Sequence, residues 1–168
     1  MRAVVLAALL AANASAELTL DAAGWQSGRV EKPARPAIWA DAERAALSPM
    51  SAPLLRGKAV LKNRGPKAAE GILLRYTVSA RLVTDKPGAA AEAQWALPFL
   101  IDERRVPKVG PNSVLDVPLS LTPKLDIYLK KMKRQGMRAN MLKLQAMIEP
   151  HAADGAVKVI ETLLEVVP

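Results

Sequence analysis

The chain has 168 residues, 51% of them hydrophobic, which is enough to bury one full core and too little for two ordinary domains. Cysteine is absent, so disulfide stapling is excluded and the fold must stand on packing alone. A net charge of +8 points toward acidic partners, but the three Trp, two Tyr and one Phe are not interleaved with the basic residues as a stacking platform requires, so no nucleic acid is expected.

At the N-terminus, Arg2 precedes an unbroken apolar run from Ala3 to Ala12, then Asn13 and the small-residue triplet Ala14-Ser15-Ala16. This is the layout of a cleavable secretory signal over residues 1–16, with the mature chain starting near Glu17. The run is too short to remain as an anchor, and no later stretch approaches the roughly 20 apolar residues of a membrane helix, so no transmembrane anchor is expected. A short leader with a single n-region charge is bacterial in style. The expected location is therefore periplasmic or secreted.

Residues 17–53 read as a Pro/Ala-rich arm, with Pro33, Pro36, Pro49 and Pro53 interrupting any long element. Leu18 and Leu20 alternate with polar neighbours and suit one short strand. Trp25 and Trp39 argue that the arm lies on the domain, since large rings seek a packing surface.

The expected domain spans 54–168. Leu55, Ala59 and Leu61 share one face of a strand that ends at the turn formers Asn63-Arg64-Gly65-Pro66. After Gly71 the alternation is long: Ile72, Leu74, Tyr76, Val78, Ala80 and Leu82 on one face, Arg75, Thr77, Ser79 and Arg81 on the other. That period of two predicts a half-buried strand of an antiparallel sheet. Past the turn Asp85-Lys86-Pro87-Gly88, Trp95, Leu97, Phe99 and Ile101 predict a third inward set, and Pro98 on its other side favours an edge. Asp102-Glu103-Arg104-Arg105 reads as a solvated turn, and Leu115, Val117, Leu119 and Leu121 as the inward set of a fourth strand.

At Thr122-Pro123 the period changes. Thr122 suits an N-cap and Pro123 a first helical position, and Leu125, Tyr128, Leu129 and Met132 recur at helical spacing before Gly136. The prediction is one amphipathic helix from Pro123 to Gln135. Strands follow at Asn140–Glu149, with Leu142, Leu144, Ala146 and Ile148 inward, and at Val157–Val167. The expected fold is mainly β: an antiparallel immunoglobulin-like β-sandwich of six or seven strands with one inserted amphipathic helix.

Little in the chain suggests catalysis. His151 is the single histidine and has no nucleophile beside it, while Glu149, His151 and Asp154 match no metal-ligand spacing well. No Gly-rich phosphate loop occurs. No enzyme, cofactor or metal is therefore expected. The candidate site is the basic stretch Lys130, Lys131, Lys133, Arg134 and Arg138, a possible anionic-ligand patch, although the first four also complement the negative end of their helix.

The succession of strand 114–121, helix 123–135, strand 140–149 and strand 157–167 resembles the late-embryogenesis-abundant type 2 family, also called the water-stress and hypersensitive-response domain. The segment Ala59-Val60-Leu61-Lys62-Asn63-Arg64-Gly65-Pro66 is similar to that family's strand ending in an Asn-Pro-Asn turn, with Asn63 as the matching residue. The Asn-x-Gly turn, Ala69-Glu70-Gly71 and Gly110-Pro111-Asn112-Ser113 are equally similar to bacterial immunoglobulin-like and fibronectin type III envelope modules. The first resemblance implies stress or desiccation protection, the second protein or glycan binding. The expectation is an exported, non-enzymatic binding or accessory module of the bacterial envelope, partnered by another envelope protein or an anionic envelope polymer. The alternative is a stress-protective protein.

Overall fold

The structure is a computed structural model that describes residues 17–29, 37–47, 54–84, 93–149 and 157–167. The leader, the turn at 85–88, His151 and Asp154 lie outside the described residues. In chain order the elements are β1 (Leu18–Arg29), β2 (Ile38–Asp41), β3 (Arg44–Ala46), β4 (Leu54–Asn63), β5 (Ala69–Thr84), β6 (Gln94–Trp95), β7 (Leu100–Val109), β8 (Ser113–Ser120), α1 (Lys124–Arg134), β9 (Met137–Glu149) and β10 (Ile160–Val167). Among the described residues the protein is mainly β, with two sheets and one helix.

The first sheet has the order β2-β1-β4-β8. In the second, β3-β10-β9-β5 continues into β6 and β7, which flank successive lengths of the long strand β5. All described pairs are antiparallel except β3 with β10, which is parallel and departs from the fully antiparallel expectation. Leu20, Trp25, Leu61 and Leu119 from the first sheet meet Leu74, Val78, Leu142, Leu144 and Leu164 from the second in one core. The alternation read from the sequence places most of these side chains, because a strand with one face in water must put every second residue inside.

Gly57 allows the sheets to approach. A Cβ on this residue would stand 3.0 Å from a Leu144 methyl and 3.2 Å from the Leu119 Cβ. Asn63, only 1% exposed, ties two distant turns together. Its Nδ2 donates to the carbonyls of Lys67 at 2.7 Å and Gly110 at 2.9 Å, with a longer contact to that of Val109 at 3.3 Å, while its Oδ1 accepts the Gly65 N–H at 3.0 Å. Asn112, whose positive φ of 46° suits an asparagine, adds its own N–H to the Gly65 carbonyl at 3.1 Å.

Several expectations are corrected, among them the inward place of Leu115, which is 36% exposed, and the six or seven strands, which are ten among the described residues. The irregular arm contains a twelve-residue strand: β1 pairs along nearly all of β4 and buries Trp25, whose Nε1 donates across to the Thr162 carbonyl at 3.4 Å. Its small residues and weak alternation concealed it.

The run Asp102-Glu103-Arg104-Arg105 is the middle of β7, paired with Leu73 to Tyr76, and not a turn. A strand bonded on one side tolerates such charges, which also discourage stray pairing at its free edge. The preceding apolar set faces the other way: Leu100 is buried, whereas Leu97 and Ile101 are 87% and 72% exposed. Periodicity fixes that residues alternate, not which set turns inward.

In β5 a register irregularity between Arg81 and Leu82 shifts the inward position, so Val83 is buried and Leu82 only half-buried. At the start of α1, Pro123 takes the cap position expected for Thr122, and no side chain caps the helix. The Leu125 N–H donates instead to the Leu121 carbonyl at 3.1 Å, and the Ile127 N–H to that of Pro123 at 3.2 Å.

Candidate functional site

Helix α1 is held by its apolar stripe. Leu125 and Met132 are buried, and Tyr128 and Leu129 half-buried against the core. The Tyr128 ring stacks on Phe99 with centroids 4.2 Å apart and planes 14° from parallel. With one face docked in this way, Lys130, Lys131, Lys133 and Arg134 are left exposed on the last turns. The helix ends in backbone contacts from the Gln135 and Gly136 N–H groups, and Gly136, at a φ of 71°, reverses the chain into β9. That reversal returns Arg138 beside the helix end.

The structure thus brings two of the five predicted residues to one cleft. Lys133 and Arg138 line an indentation of about 140 Å³ together with Leu47, Leu129, Met137 and Val166. Lys130 and Arg134 lie on the adjoining helix surface, and Lys131, two residues before Lys133, turns toward the far side. No Asp or Glu occurs in the sequence between Asp126 and Glu149, and Asp126 stands one turn before Lys130 on the same helix. The field here is positive, and the nearby carbonyls at the helix end carry the opposite partial charge. The arrangement suits holding an anion against a small apolar floor.

Glu149, considered above as part of a metal set, is engaged elsewhere: its carboxylate takes Arg75 Nη1 at 2.8 Å. Among the described residues no group of three His, Cys, Asp or Glu side chains could hold a metal.

Two further surfaces escaped the sequence reading. On the outside of the first sheet, the Asp41 carboxylate takes Lys58 Nζ at 2.8 Å and Gln26 Nε2 at 2.9 Å. Those two hydrogen bonds, first from Lys58 and then from Gln26, hold its pKa below the ordinary carboxylate value. Arg56 lies 4.0 Å over the Trp39 ring in the same cluster. On the outside of the second sheet, a concavity of about 660 Å³ is bordered by Arg75, Thr77, Ile101, Gln145, Met147 and Val159. Cross-strand register builds it, and the misassigned face of β7 is why its apolar rim was not foreseen.

No family model and no curated protein matches this sequence. Among solved structures, a β-glucosidase from Erythrobacter marinus is similar at 15% identity and a TM-score of 0.34, with 87% of this chain and 15% of that chain covered. The chain thus spans about 15% of the length of that enzyme.

Proposed function

We propose that this protein is an exported, non-catalytic binding module of the bacterial cell envelope, an immunoglobulin-like β-sandwich whose α1–β9 corner binds an anionic envelope polymer. The observation that carries the reading is the convergence of Lys133 and Arg138 on one cleft, with Lys130 and Arg134 exposed beside it and Lys131 exposed farther around the helix. Export is supported by the layout of residues 1–16, and the immunoglobulin-like assignment by two sheets enclosing a single core. Electrostatic capture of this kind needs no catalytic group. It draws a polyanion to the basic corner and holds it by several weak contacts.

The test is titration with lipopolysaccharide, and with polyphosphate as a polymer lacking lipid, across a series of salt concentrations. Affinity should fall steeply as salt rises, because exposed charges are screened within about 8 Å at physiological ionic strength. Lys130→Glu with Lys133→Glu should weaken binding by about tenfold or more, since every 1.4 kcal/mol is a factor of ten. Binding unchanged by the double substitution would remove the corner from the reading. N-terminal sequencing of the chain recovered from envelope fractions should begin at Glu17, and an intact Met1 there would overturn export by cleavage.

A further inference from the structure

The outer face of the second sheet carries several large apolar side chains among its polar ones. Ile101 on β7 is 72% exposed, Val159 51%, Leu163 on β10 46% and Trp95 on β6 42%. Register makes them one surface. Ile101 stands opposite Thr77, Thr77 opposite Gln145 and Gln145 opposite Glu161, while Leu163 stands opposite Lys143, whose Nζ lies 4.7 Å from the Trp95 ring centroid. The concavity bordered by Ile101, Met147 and Val159 lies in the same face. Single exposed apolar residues need no explanation, but a set gathered on one face of a sheet marks a docking surface.

The charges of this face differ from those of the chain as a whole. Among the described residues Arg44, Arg75, Arg81, Arg105 and Lys143 are nearly balanced here by Glu103, Glu149, Glu161 and Glu165. Ion pairs join Arg44 to Glu165 at 2.8 Å, Arg75 to Glu149 at 2.8 Å and to Glu103 at 3.8 Å, and Lys143 to Glu161 at 3.7 Å. A polyanion finds little excess positive charge to hold it here. A second copy, which a net charge of +8 repels elsewhere, meets a face with little net repulsion that offers both signs to its own image.

The dimensions are adequate. Four strands spaced at about 4.8 Å, each giving about eight residues at about 3.3 Å, present roughly 500 Å² in projection before side-chain relief, close in scale to the about 800 Å² per partner of a standard interface. We propose that this face is the contact between two copies of the chain related by a two-fold axis, with Ile101, Val159 and Leu163 as its apolar contacts and the ion pairs set among them.

Sedimentation of the purified chain over concentrations from about 1 to about 100 μM reads the association directly. The mass should move from one chain to two within that range. Ile101→Glu and, separately, Leu163→Glu should each weaken association by about tenfold or more while leaving the far-ultraviolet circular dichroism of the single chain unchanged, because both side chains face water in it. Lys130→Glu with Lys133→Glu should leave the dimer in place. A single-chain mass at every concentration, or a dimer indifferent to both face substitutions, would overturn the proposal.

Discussion

Asn63 shows how one side chain can decide a local structure that its neighbours in sequence do not explain. Its position before Arg64-Gly65-Pro66 announces a turn, and the Gly65 N–H bond to its own Oδ1 is that turn. Its burial was not legible, because the Val109 and Gly110 carbonyls that take its amide lie 46 and 47 residues away. Asn63→Ala would leave buried carbonyls and one N–H without their partner. It should cost about 2–4 kcal/mol, since each orphaned buried group costs about 1–3 kcal/mol and the site relaxes in part. Asn63→Asp should not rescue it, as a carboxylate donates nothing to those carbonyls. Urea unfolding checks both, with a lower midpoint and an unchanged slope as the expected result.

At the scale of elements, β4, β5, β8, β9 and α1 were legible because each carries a sustained period that has one physical reading. β1 was not, since Ala22, Ala23 and Gly24 interrupt its apolar alternation and its partner β4 lies beyond a proline-rich stretch. β7 was found with its faces exchanged. The basic residues of α1 were legible as exposed, but their meeting with Arg138 depends on the reversal at Gly136. The pairing of β1 with β4 gives Gly57 its role: it stands opposite Trp25 and allows the side chains of Leu119 and Leu144 to close over it. Gly57→Ala asks a Leu144 methyl to shift by a few tenths of an ångström, and the reduced freedom of the unfolded chain compensates by about 0.4–1 kcal/mol, so near-neutral stability is expected. Gly57→Val adds two methyl groups to the same space and should cost about 1–3 kcal/mol. The two midpoints measured by chemical denaturation should separate accordingly, and equal stability of the two variants would place the sheets farther apart than the contacts at Gly57 imply.

For the molecule as a whole, the sheets are joined chiefly by apolar packing, with a few polar links across the seam. Tyr76 is one of them: it extends from β5 to donate its hydroxyl to the Ser120 carbonyl at the end of β8, at 3.0 Å, and it lies 3.4 Å from the Asp102 carboxylate. Burial first, and then the negative charge of Asp102, push its pKa up to about 12 from an ordinary value of 10.0. The folded state therefore holds this proton more tightly than the unfolded chain does. Its contribution to stability is complete below about pH 10 and is lost as the pH rises toward about 12. Tyr76→Phe should lower stability at neutral pH by about 1 kcal/mol through the lost hydrogen bond. It should also flatten the decline between pH 10 and 12, because no phenol remains to ionise on unfolding. Unfolding free energies of the two proteins measured across that interval should converge as the pH rises. Parallel curves would mean that Tyr76 ionises as freely in the folded chain as in the unfolded one, and that the seam between the sheets is open to water at this point.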